Sequence, residues 1–137
     1  MTVSFGDPDA HLRFLGQIGC RCTDVGPGHA RFELELRPGV MNRLQVPHGG
    51  IHATLLDSAL GATGTFSGDP DNPHAAVTLS LTVNFLAAPA TGAKRLIAEG
   101  HGTGGGRSIY FAEGVVRDDT GRELARGSGT FRRFAPR

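Results

Sequence analysis

The sequence predicts an α+β fold in which a five- or six-stranded antiparallel sheet wraps around one long central helix. Three observations carry the prediction. Two runs alternate cleanly between apolar and polar residues, three later strand-like runs follow one another closely, and one long segment is almost free of charge. A strand buries every second residue and a helix buries a stripe, so the spacing of apolar positions separates the two.

Ala10 to Leu15 reads as a short N-terminal helix, preceded by a loose stretch over residues 1–8. Ala30 to Arg37 places Ala30, Phe32, Leu34 and Leu36 on one face, and Arg31, Glu33, Glu35 and Arg37 on the other. That is a strand with one wet face, ended by Pro38-Gly39. Val77 to Phe85 sets Val77, Leu79, Leu81, Val83 and Phe85 against Thr78, Ser80, Thr82 and Asn84. Leu96 to Thr103, Ser108 to Arg117 and Glu123 to Phe134 supply three more strands, with Asp118 to Gly121 as a hairpin turn. Their short connections make them antiparallel neighbours. Gly127 and Gly129 fall inside the last strand, where a missing side chain permits close packing.

Gly49 to Gly68, GGIHATLLDSALGATGTFSG, has the length and the Ala and Leu content of a helix, weakened by Gly61 and Gly64. Asp57 is its only formally charged residue. A helix that is apolar nearly all round must be covered on most faces, and a sheet curled about it is the natural cover.

The chain has 137 residues, which fits a single domain spanning residues 1–137. Its 14 Lys and Arg against 13 Asp and Glu give a net charge of +1, without the concentrated positive surface that nucleic acid requires. No run of ~20 apolar residues suggests a membrane span. The start lacks the apolar segment of a secretory signal. Cys20 and Cys22 are read as reduced thiols on a strand, in a cytoplasmic protein.

Asp57 is the first functional candidate, since a lone carboxylate in an apolar helix is costly unless hydrogen-bonded or useful. It would serve as a general base or nucleophile. The second is the run Asn42 to Gly50, NRLQVPHGG, which leads into the helix. The first amides of a helix lack internal partners, and glycine lets a ligand approach them closely. Such amides suit a carbonyl that gains oxyanion character during acyl transfer. Gly49 and Asp57 stand eight positions apart, about 12 Å along a helix. If both serve one reaction, the site should lie between two chains with antiparallel helices.

The run HGGIHATLLDSALG, then VTLSLTVNFLAAPATG and GRSIYFAEGVVRDDTGRELARGSGTFRRF, resembles the hotdog-fold acyl-CoA thioesterases of the phenylacetate-pathway, PaaI-like group. The resemblance covers roughly Gly16 to Phe134 and rests on His-Gly-Gly, an acid nine residues after the His, and a strand ending in Asn-Phe-Leu. It implies the hotdog fold in homodimers or homotetramers, and metal-free hydrolysis of an aryl- or medium-chain acyl-CoA with no cofactor, CoA being part of the substrate. It makes Asp57 the catalytic carboxylate and Gly49 the backbone donor to the thioester carbonyl. Asn42 would help hold the carbonyl or water, and Thr78 would position water. His48 is implied as a structural motif residue beside the substrate, next to Gly50. Thr78 lies on the polar face of its strand, so it reaches Asp57 only across the dimer contact or through a local bulge.

For the CoA phosphates, Gly106, Arg107 and Ser108 offer mobile amides, a forked cation and a hydroxyl, with Lys94 and Arg95 as weaker candidates. Gly100, Gly102 and Gly105 spell G-x-G-x-x-G, but a strand follows instead of a helix. No Gly-x-Ser-x-Gly elbow is present. His48 and His52 have the spacing of a helical metal pair without a third ligand. The basic residues Arg132, Arg133 and Arg137 read as a solvated strand end. Two alternatives stand beside the thioesterase: a hydratase or dehydratase pairing Asp57 with His52, and a non-catalytic acyl-CoA sensor.

Overall fold

The computed structural model describes residues 8–69 and 71–134. The loose stretch expected at the N-terminus therefore falls outside the described residues except for Pro8, as does Arg137. The expected N-terminal helix is two pieces, a 3-10 turn over Ala10–Leu12 and α1 over Phe14–Ile18. Strands β1 (Arg21–Gly26) and β2 (His29–Glu35) follow, then α2 (Gly49–Ala62) and β3 (Ala75–Phe85). The last three strands are β4 (Arg95–Gly105), β5 (Ile109–Asp118) and β6 (Glu123–Phe134). All pair antiparallel in one sheet of order β1-β2-β4-β5-β6-β3, and α2 lies against β2 to β6. The hotdog architecture of one helix wrapped by an antiparallel sheet is present.

Leu55, Leu56 and Leu60 of α2 are fully buried against Leu34, Leu96, Val116, Leu124 and Phe131 of the sheet. Burying such a side chain stabilises the fold by about 1.5–3 kcal/mol. Beneath the helix, Gly100 pairs with Gly114 and Gly114 with Gly127, a row of glycines across three strands. A Cβ on Gly114 would lie 2.2 Å from the Glu99 carbonyl oxygen and 2.8 Å from Leu60 Cδ1. One on Gly100 would lie 2.9 Å from the Ala59 carbonyl oxygen. Helix and sheet thus meet backbone to backbone at Gly100, while Gly114 makes room for the Leu60 side chain.

The apolar face expected along β3 is split. Thr78 pairs with Phe131 and Ser80 with Thr130, so Leu79 is an extra residue in a bulge. The bulge shifts the alternation by one. Ala76 and Thr78 face the helix on one side of it, Leu81 and Val83 on the other, while Val77 and Leu79 stand about half exposed.

Helix α2 also stops earlier than the run to Gly68 suggested. Other elements take the carbonyls at and just past its end: Tyr110 Oη donates to the Gly61 carbonyl at 2.5 Å, and Arg133 Nε to that of Gly64, two residues beyond the helix, at 2.7 Å. The Tyr110 ring fills the place a Gly64 side chain would need, 2.4 Å from where its Cβ would sit. Arg133 also donates to the Arg107 carbonyl at 2.9 Å and covers the Tyr110 ring. It is a tertiary clamp and not a solvated strand end.

Cys20 and Cys22 are free and buried, and burial pushes their thiols up to about 12 and about 11. Among the described residues no helix is long and apolar enough to cross a membrane.

The β5–β6 turn is organised by Asp118, 1% exposed. Its Oδ2 accepts from the Ala90 amide at 2.8 Å, and its Oδ1 from the Thr120 amide and hydroxyl at 2.9 and 2.6 Å. The Arg122 amide adds a bond at 3.2 Å. Burial alone would raise this carboxyl, but the hydrogen bonds from Thr120, Ala90 and Arg122 outweigh it and hold it below its ordinary value. Asp118→Ala strands these donors and should cost about 2–4 kcal/mol, a Tm fall of about 10 °C at neutral pH. Because the folded-state pKa is depressed, this contribution is present above the unfolded value of about 3.9 and is lost as the pH falls through the folded value. The gap between the thermal melts of the two proteins should therefore narrow as the pH falls below about 4; a constant gap would remove the charge from the account.

Candidate active site

The entry to α2 is built by Asn42 and His48. Asn42 Oδ1 accepts from the Leu44 amide at 2.8 Å and from Val46 at 3.4 Å, and the Asn42 amide donates to the Val46 carbonyl at 2.8 Å. The turn is tight enough to place Gln45 at φ 63°. Met41 then bridges Pro47, and the His48 amide donates to the Val40 carbonyl at 3.0 Å. His48 caps the helix: its Nδ1 accepts from the Gly50 amide at 2.9 Å. His48 is thus structural, and Gly50's amide is spent on the cap.

The Gly49 amide is different. It has no acceptor among the described residues. Its Cα faces the Phe85 ring, which would sit 3.4 Å from an added Cβ. Phe85 is 59% exposed and meets the buried His52 edge to face at 6.1 Å. Burial pushes His52 down toward the neutral imidazole.

Two turns further on, Asp57 is half-buried and its Oδ1 accepts from Thr78 Oγ1 at 2.5 Å. The β3 bulge makes this contact within one chain. Of the two routes open to Thr78, the structure takes the local one. Asp57 and Thr78 line a groove of about 300 Å³ that continues along α2 past Ser58, Gly61, Ala62 and Thr65. Leu15, Phe32, Ala76, Val77, Phe131 and the Pro73-His74 loop complete its largely apolar walls. His52 is not among them, because it faces the sheet side of the helix. The pairing of Asp57 with His52 that a hydratase would use is not formed.

Gly49 and Asp57 remain at separate points of one helix, as their spacing requires. The Gly106 amide donates to the Ile109 carbonyl at 2.7 Å within the β4–β5 hairpin, and the Ser108 carbonyl accepts from the Arg133 amide at 2.6 Å. The side chains of Arg107 and Ser108 are exposed, with no partner among the described residues. Arg133 ties this hairpin to the C-terminal end of α2, beside the groove. Arg95 is paired with Glu33 at 3.3 Å, which leaves it less free to meet a phosphate.

The groove walls were not legible in the sequence, because Leu15, Phe32 and Phe131 come from distant segments. Phe85 was readable as the last apolar residue of an alternating strand and as part of its Asn-Phe-Leu end, but not as a neighbour of Gly49.

The thioesterase superfamily profile matches residues 44–125. A Mycobacterium tuberculosis protein named provisionally as an esterase is 26% identical over 115 residues, 83% of this chain and 81% of its own length. Its structure superposes with a TM-score of 0.76 at 23% identity, over 90% of this chain and 98% of that one. The PaaI protein of the E. coli phenylacetic acid degradation operon shares the fold at 20% identity and a TM-score of 0.74, over 89% and 84% of the two chains. A Bacillus halodurans protein solved with CoA is 31% identical, with a TM-score of 0.65, over 76% of this chain and 66% of its own.

Proposed function

The chain belongs to the thioesterase superfamily, and on that premise we propose that it hydrolyses an acyl-CoA thioester to the free acid and CoA. The observation that carries this reading is the Asp57 carboxylate, held by Thr78 at the mouth of an apolar groove. Thr78 occupies Oδ1 and leaves Oδ2 to draw a proton from water, or to attack the carbonyl carbon itself and form a mixed anhydride that water then hydrolyses to the free acid. The thioester carbonyl would rest on the unpaired Gly49 amide, whose donor geometry suits the charge that develops on oxygen. Asn42 fixes the turn before it, and its side-chain amide nitrogen remains available to the same oxygen. The CoA thiolate leaves and takes up a proton, while its phosphates meet Arg107 and Ser108 at the surface. The bound CoA of the Bacillus halodurans relative supports this class of substrate.

The functional unit in this reading is a homodimer. Strand β3 is an edge of the sheet, eleven residues long. Such an edge invites pairing, and Val77, Leu79, Phe85 and Leu86 stand exposed along it. A two-fold axis beside β3 sets the two α2 helices antiparallel, so Gly49 of one protomer serves Asp57 of its partner. The free buried thiols fit a reducing, cytoplasmic setting.

The test is free-thiol release from a panel of aryl and aliphatic acyl-CoAs. Turnover of at least one thioester, saturable at micromolar to millimolar substrate, is the expected result. Tight binding with no turnover would replace the enzyme by a sensor.

A further inference from the structure

The groove beside Asp57 is notched at one point. Gly61 stands one turn beyond Asp57 on the same face of α2, about 6 Å along the axis, and both line the groove. The notch is held open from below. The Gly61 carbonyl is gripped by Tyr110 Oη, and the Tyr110 ring passes through the space left by Gly64 and stacks on Phe131 at 5.4 Å. Phe131, itself a wall of the groove, lies 3.4 Å from where a Gly61 Cβ would be, so a side chain there would project into the gap between the two. The backbone at the notch therefore has little freedom to sink away from a larger side chain. Ala62, Thr65, Pro73 and His74 line the same groove. Its volume of about 300 Å³ is at the low end for small-molecule sites.

We propose that Gly61 is the specificity-determining position of the site: its missing side chain is the opening through which the acyl group extends from Asp57 to the Pro73-His74 wall. This rests on the thioesterase reading only in placing the reacting carbonyl at Asp57. The acyl group that fits is compact and apolar, a single ring on a short linker or a short chain. A two-carbon acyl group ends before the notch, and a phenylacetyl or octanoyl group must cross it. Bulk at Gly61 therefore acts against the longer groups and not against the reaction as such.

The experiment compares the wild type with Gly61→Ala and Gly61→Leu, measuring kcat/KM for acetyl-, butyryl-, octanoyl- and phenylacetyl-CoA. Kd values for the same thioesters are then measured on each protein carrying Asp57→Asn. The ratio of phenylacetyl to acetyl kcat/KM should fall at least about tenfold in Gly61→Leu, with a smaller fall in Gly61→Ala, and the Kd ratios should move in parallel. Gly61→Ala adds only a methyl at van der Waals distance from Phe131, so it keeps the test alive if Gly61→Leu does not fold. An equal loss on all acyl lengths, or unchanged ratios, overturns the assignment of Gly61. Absence of turnover with every thioester overturns the thioesterase reading instead, and the Kd ratios then decide on Gly61 alone.

Discussion

Asp57→Asn is expected to reduce kcat by about two to four orders of magnitude, the usual range for losing a positioned general base. The exchange is close to isosteric, and the side-chain carbonyl of Asn still accepts the Thr78 hydroxyl, whose bond to Oδ1 is 2.5 Å. The fold, the groove and the helix register should be unchanged, with Tm within a few degrees of the wild type. Substrate binding should also persist, because the acyl group is held by apolar walls and not by the carboxylate. The loss should therefore fall on kcat, with KM changed little. Thiol-release kinetics on the best substrate of the panel measure it. Turnover that survives the exchange would remove Asp57 from the chemistry, whatever the fold of the protein.

The second large effect is expected from Gly49→Pro. Proline has no amide hydrogen and prefers the first position of a helix, where that hydrogen has no intrahelical acceptor. Gly49 occupies this position, and its amide is unpaired among the described residues. His48 before it has φ −58° and ψ 140°, the extended geometry that a residue preceding proline adopts. The substitution thus deletes one donor while the helix start is preserved. Losing an oxyanion donor costs about 10²–10³ in kcat, and circular dichroism should show the helix content unchanged. Mixing this variant with Asp57→Asn then separates two geometries. If each site takes Gly49 from one protomer and Asp57 from its partner, random re-pairing leaves about a quarter of all sites intact and activity returns. If each site is made within one chain, the mixture stays dead.

The alternation of β2, the glycine-led start of α2 and the singular carboxylate were legible because each is a local signal. Residues 29–35 and 49–57 carry their structure in their own spacing. What the sequence left open is tertiary. The side from which Thr78 faces Asp57 depends on the register of β3 against β6, and the extra residue at Leu79 shows only once Phe131 and Thr130 are opposite it. The helix end depends on Tyr110 and Arg133, which reach Gly61 and Gly64 across intervals of 49 and 69 residues. Within the run, Gly61 and Gly64 weaken the helix without fixing where it ends. The acyl groove is hardest of all to read, since its walls come from α1, β2, β3 and β6.

The glycine row under α2 bears on how such a domain can diversify. With no side chain between helix and sheet at Gly100, where the Ala59 main chain sits directly over the strand, the height of Asp57 above the sheet is set there by main-chain contact. Core substitutions elsewhere change packing around that contact without sliding it. The far wall of the groove is less constrained, because Leu15 of α1 and Pro73 and His74 of the loop before β3 meet it from outside that contact. Inherited variation is thereby channelled toward the part of the site that meets the acyl group. A lineage built on this frame can change what it accepts far more readily than where it cleaves.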